Sequence, residues 1–240
     1  TACGIDALKT NSTGAANTAI GREALEFNTS GYNNVAVGSQ ALEDNTTGTD
    51  NTALGCSALE GNTTGQQNVA IGAFALDAGT DADSNVAIGY NALSASSVNN
   101  NVAIGHSAMK SNQTGGTNTA VGDAALKNGN GFIQCTAVGH AAGESNTGAN
   151  LTAVGLYAGR VNTGSHNTAV GHQALDANTS GYSNTAVGKD AGGAHTSGIN
   201  NVFVGQNAGI TCSTGSQNIC VGRSADVLTA SATSNPSVLA

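Results

Sequence analysis

A glycine recurs through this chain at a nearly constant interval, and that interval limits the fold more than any other feature. It ends the line N-[TV]-A-[VIL]-G, running from Gly21, Gly38, Gly55 and Gly72 to Gly205 and Gly222, and a half-unit "TACG" places another at Gly4. The steps are 17 residues, except for three of 16. Alanine stands three residues after each anchor, as at Ala24, Ala41, Ala58 and Ala75. Self-similarity at a fixed period marks an architecture made by stacking one unit on the next.

Seventeen residues are too few for helical repeats of the TPR or ankyrin kind, which need roughly 33 residues for two helices. The apolar stretches here are short, β-branched and bounded by glycine. "NTAVG" therefore reads as a short strand, the segment carrying Ala-Leu after the glycine as a second short strand, and "NTTG" as a turn. The predicted fold is all-β: a parallel β-solenoid, drawn as a two-sided β-roll of about fourteen 16–17-residue coils over 1–225. Residues 226–240 leave the repeat and read as a cap or connector. At about 4.8 Å per coil the predicted rod is on the order of 65 Å long. Composition agrees, since 34 glycines, 3% aromatics and 9% charged residues leave material only for a thin, repeated core. A disordered chain would lack this register of Ala, Val, Ile and Leu.

Alternation along the first strand puts Val69 and Ile71 on one face and Ala70 on the other. The larger residues are expected to fill the coil, closed from the second strand by Leu8, Leu25, Leu42, Leu59, Leu76, Leu93, Leu126 and Met109. Alanines then form an outward strip of methyl groups that lets another backbone approach closely. Asparagines at the strand entry, Asn17, Asn34, Asn51 and Asn68 among them, are expected to hydrogen-bond from coil to coil as a ladder. Cys135 and Leu151 interrupt that ladder, and a local change of geometry is expected there. Ala-Leu gives way to Ala-Gly at Gly143, Gly159, Gly192 and Gly209, which predicts a slimmer interior filled by Phe203 or Ile210.

The unit "NVAIGxxA" resembles the head repeat of trimeric autotransporter adhesins, the YadA-like family. The longer line "NTAVGxxALxxNTTGxx" is similar to arrays in phage tail-fibre and other virion appendage proteins. The resemblance spans residues 1–225 and implies a left-handed roll with three chains around one axis. It implies fold more than role, because a rod can carry many functions. No secretory leader, heptad stalk, membrane-anchor barrel or apolar run near 18 residues accompanies the repeat. The opening inside a repeat suggests a processed product or part of something longer.

Chemistry needs residues set out of pattern, and nearly every polar residue here falls where the repeat puts one. The sequence offers no carboxylate cluster, no GxGxxG or Walker loop and no calcium-roll motif, so no catalytic, cofactor-binding or metal residue is assigned and no cofactor is expected. His106, His140 and His172 each follow an anchor glycine and share one edge; they read as solvated, a metal at a trimer axis being the sharper alternative. Cys3 and Cys220 read as small core residues, and a Cys212–Cys220 bridge is conceivable. Seven N-x-[ST] sequons, at Asn11, Asn28, Asn45, Asn62, Asn112, Asn150 and Asn178, arise automatically from the turns. A net charge of −8 with only seven basic residues argues against nucleic acid and anionic membrane.

The expected role is that of a non-enzymatic structural module of an extracellular or virion fibre, spacing or presenting a surface-binding element. Its partners are expected to be copies of itself, as a homotrimer or as filament neighbours joined head to tail, and a host-surface receptor or glycan. An ice-binding solenoid would want outward threonine in every coil, and Thr18, Val35, Thr52 and Val69 break that array.

Overall fold

In a computed structural model, described here over residues 1–227 and 237–239, the chain is a parallel β-solenoid without helices among the described residues. It divides into two compact units, Thr1–Asn118 and Thr119–Ala240. The first holds β1 (Ala2–Cys3), β2 (Thr18–Ile20), β3 (Val35–Val37), β4 (Thr52–Leu54), β5 (Val69–Ile71), β6 (Val86–Ile88) and β7 (Val102–Ile104). Each pairs in parallel with the next, in the register the repeat dictates: Ala36 opposite Ala53, Ala53 opposite Ala70. The second holds β8 (Thr119–Val121), β9 (Thr136–Val138), β10 (Thr152–Val154), β11 (Thr168–Val170), β12 (Thr185–Val187), β13 (Val202–Val204), β14 (Ile219–Val221) and β15 (Ser237–Leu239), again each beside the next. Of the segment 226–240, residues 228–236 and 240 lie outside the described residues; Ser237–Leu239 pairs with Ile219–Val221.

The alternation is as expected, but its direction is reversed. Ala19, Ala36, Ala53, Ala70, Ala87 and Ala103 are fully buried inside the coil, whereas Ile20, Val35, Leu54, Val138, Val154 and Val187 face outward. The alanines therefore form no outward strip. Space decides the matter: Leu25, Leu42, Leu59, Leu76, Leu93, Met109, Leu126 and Leu175 enter from the opposite wall and are fully buried, as expected of all but the unforeseen Leu175. A coil this narrow, already holding those leucines, has room for one methyl from the strand. Leu8 is only half-buried. One coil supports the volume argument by exception. Phe203 replaces alanine at the centre of β13 and is fully buried. It fits because the leucine positions beside it are Gly192 and Gly209; a Cβ on Gly192 would lie 2.7 Å from Phe203 Cδ2, and one on Gly209 would overlap the ring. Within that coil, Phe203 with Gly209 stands where other coils have alanine with leucine, so large and small residues have exchanged walls. Ile210, the other residue expected to fill this interior, stays half-exposed.

The second wall is not a strand. Its residues turn, with left-handed φ at two sites per coil, for example 60° at Glu23 and 52° at Leu25. A regular strand would send Ala24 and Leu25 to opposite faces; the left-handed residue turns both inward, and both are fully buried. The wall still bonds to its neighbours: Leu25 N donates to Ala41 O at 3.1 Å and Gln40 N to Arg22 O at 2.8 Å.

Candidate functional site

The strand-entry asparagines form the expected ladder, by a route that uses both ends of each amide. Asn34 N donates to Asn17 Oδ1 at 2.9 Å, Asn51 N to Asn34 Oδ1 at 3.0 Å and Asn68 N to Asn51 Oδ1 at 3.0 Å. The Nδ2 groups cross to the turn, Asn34 to Gly48 O and Asn51 to Gly65 O, both at 2.8 Å, and Asn68 to Ala82 O at 2.6 Å. Where Asn gives way to Cys135, the thiol takes both roles: it donates to Gly148 O at 3.3 Å and accepts from Leu151 N at 3.4 Å. Leu151 instead turns into the core, where Gly143 and Gly159 leave room for its methyl groups.

A second ladder, expected only as turn residues and glycosylation motifs, runs through the turns. Asn28 Nδ2 donates to Asn11 Oδ1 at 2.7 Å, Asn45 to Asn28 at 2.8 Å and Asn62 to Asn45 at 2.9 Å. Asn28, Asn45, Asn62, Asn112 and Asn178 are buried, so these five sequons present no accessible amide. The recoverable signal was that this asparagine keeps the same 17-residue phase as the first. In this ladder His195 replaces asparagine, fully buried, its ring nitrogens 2.9 Å from Cys212 O and from Gly198 O. One cost is visible one coil below, where Asn178 Oδ1 is buried without a hydrogen-bond partner.

Outside the ladders, the structure corrects the expectation that carboxylates do not cluster. Glu26, Glu43, Glu60 and Asp77 keep the repeat's phase on successive coils, and Glu23, Glu26 and Glu43 bring oxygens within 4.8 Å of one another. Lys9 Nζ, 2.9 Å from Glu26 Oε1, and Arg22 Nη1, 2.6 Å from Glu23 Oε1, already neutralise two members. Glu43 Oε2 and Asp77 Oδ1 are buried without hydrogen-bond partners. Burial pushes the Glu43 carboxyl above its ordinary range, with the charges of Glu23, Glu60 and Asp44 adding to it; burial does the same to Asp77, with Glu60 adding. Because the folded chain then holds these protons more tightly than the unfolded one, stability rises as pH falls from neutrality toward the ordinary carboxylate range near ~4. Glu43→Gln is expected to stabilise unit Thr1–Asn118 at neutral pH by on the order of 0.5 kcal/mol, the scale of a partly solvated charge pair. It should also flatten the pH slope, as read by denaturant unfolding at neutral and mildly acidic pH.

The three histidines of the glycine edge are not brought together. His106 stacks on Tyr90 with centroids 5.7 Å apart, His140 Nδ1 lies 3.1 Å from Asp123 Oδ2, and His172 Nδ1 lies 3.8 Å from Asp190 Oδ1. All five cysteines are free thiols, Cys212 and Cys220 included. Cys220 is buried at an alanine position, as a core reading requires, and Cys3 is exposed.

The strands also present an outer face to solvent. In unit Thr1–Asn118 it carries Ile20, Val37, Leu54, Ile71, Ile88 and Ile104 in one column, with Thr18, Val35, Thr52, Val69, Val86 and Val102 beside it. In unit Thr119–Ala240 the outer columns read Thr and Val over β8 to β12, with Thr119, Thr136, Thr152, Thr168 and Thr185 in unbroken succession. No described helix is long and apolar enough to cross a membrane. No protein-family model matches the chain, and no curated protein is significantly similar to it.

Proposed function

We propose that this chain is a non-enzymatic structural module of an extracellular or virion fibre, left-handed and homotrimeric, that spaces or presents a surface-binding element. The observation that carries the proposal is the pair of outward columns on the strand face. Six strands, β2 to β7, at about 4.8 Å spacing make that strip in unit Thr1–Asn118 roughly 24 Å long. Aligned, half-exposed Val, Ile and Leu side chains at this regularity favour burial against another copy, since monomers seldom leave long apolar strips in water. The packing surface is thus the Val/Ile face rather than the alanines, and three thin rolls meeting on it gain the second buried seam that each lacks alone.

The test is solution mass by light scattering at two protein concentrations. A mass near three chains at both is expected, and Ile71→Lys with Ile88→Lys, which alter only outward side chains, should lower it to one chain with the far-UV circular dichroism unchanged. An open-ended series growing with concentration replaces the trimer with a head-to-tail filament. A second reading rests on the five successive threonines from Thr119 to Thr185, a regular outward array that the alternation in the first unit lacks. A monomer showing thermal hysteresis would favour that ice-binding reading and end the fibre proposal.

A further inference from the structure

Unit Thr119–Ala240 carries a notch of about 260 Å³ lined by Gln173, Asp176, Asp190, Gly193, Ala194 and Ile210. It exists because a column has lost a side chain. The position that follows the buried leucine or its glycine substitute holds Lys127, Glu144, Arg160 and Asp176 on successive coils, and then Gly193. Ile210, next in the column, forms a wall, its Cδ1 3.3 Å from where a Cβ on Gly193 would stand.

The carboxylates of the lining are electrically balanced. Arg160 Nε donates to Asp176 Oδ1 at 2.8 Å. Lys189 Nζ lies 3.6 Å from Asp190 Oδ2, and His172 Nδ1 lies 3.8 Å from Asp190 Oδ1. Each carboxylate thus has a cation beside it, so an entering metal ion or ammonium meets no uncompensated charge. A ligand that brings hydroxyl donors meets carboxylate acceptors, which make the stronger class of hydrogen bond. Gln173 adds both a donor and an acceptor. Ala194 and Ile210 offer an apolar side to carbon-bound hydrogens. At ~30 Å³ per water the notch has room for on the order of eight waters, a space suited to one ring rather than an extended chain.

We propose that this notch is a subsite for a single neutral pyranose unit of a surface glycan. The proposal deepens the presenting-module reading and rests on it for its setting, but sugar binding and assembly are measured separately. Saturation-transfer NMR on the full chain, with the methyl glycosides of glucose, galactose, mannose and N-acetylglucosamine at millimolar concentration, should give a saturable signal from at least one. Gly193→Glu refills the column with a side chain that other coils carry, and Gln173→Ala removes a polar contact; each should weaken the signal at least tenfold. Circular dichroism and light scattering confirm that the variants keep fold and mass, so a lost trimer and a lost sugar site cannot be confused. The proposal fails if none of the four glycosides gives a saturable signal, or if the signal survives in both variants. It fails equally if methylammonium or Ca²⁺ perturbs the Asp176 and Asp190 resonances while the sugars do not.

Discussion

Gly55→Ala should destabilise unit Thr1–Asn118 by at least about 3 kcal/mol, well above the ordinary cost of a surface substitution. Two causes act together. Gly55 has φ 144°, a region that side-chain-bearing residues avoid at a cost of order 1–3 kcal/mol. Its missing Cβ would also stand 2.6 Å from both C and O of Gly72, the equivalent corner one coil on. Gly72 cannot move aside, because its own corner is stacked on Gly89 in the same way, a Cβ there falling 2.7 Å from Gly89 O. Relief therefore requires the stack to open. In a solenoid, stability is carried by neighbouring coils, so the damage should centre on the flanking strands and fade along the unit. Hydrogen exchange should show the greatest loss of protection at Val37, Leu54 and Ile71. Gly193→Ala is the control: its φ is ordinary and its Cβ meets nothing closer than 3.3 Å, so a far smaller change is expected. Equal costs for the two substitutions would remove the stacked corner as the reason for the glycine period.

That corner explains why the coil was legible from the sequence while parts of its cross-section were not. A period of 17 with an obligatory glycine leaves few folds open, and the strand register follows from it. Parity along "NVAIG" identified the pairs of faces; which pair points inward depends on how much volume the opposite wall delivers, and a single strand does not contain that information. The Phe203 coil did contain it, through the coincident loss of leucine at Gly192 and Gly209. The second wall passes for a strand in the sequence because alternating left-handed residues such as Glu23 and Leu25 have no side-chain signature. The carboxylate column was missed for a different reason. Glu26, Glu43, Glu60 and Asp77 are far apart along the chain and adjacent only once the period is used as a spatial coordinate. The notch at Gly193 is visible only in that coordinate as well.

Asn51→Ala should cost about 2–4 kcal/mol, although it removes no charge and little volume. The side chain is fully buried and makes three hydrogen bonds, donating to Gly65 O at 2.8 Å and accepting from Asn68 N at 3.0 Å and Asn68 Nδ2 at 3.1 Å. Alanine leaves the Asn68 backbone amide buried and unpaired, at roughly 1–3 kcal/mol, and leaves the Gly65 carbonyl with only its longer bond from Asn62 Nδ2 at 3.2 Å. The chain itself supplies the comparison that makes the argument testable. At the equivalent place Cys135 keeps one donor and one acceptor, so Asn51→Cys should retain both partners through weaker bonds and lose about half as much as alanine. Asn51→Asp should be at least as damaging as alanine at neutral pH, because the acceptor survives while the donor is lost and an uncompensated charge is buried. Denaturant unfolding of the three variants should therefore rank Cys above Ala, and Ala at or above Asp, with lowered pH narrowing the gap for Asp as its carboxyl regains a proton. If cysteine and alanine proved equally costly, the amide would be acting through its size alone, and the hydrogen-bonded ladder would no longer explain why asparagine marks the coils.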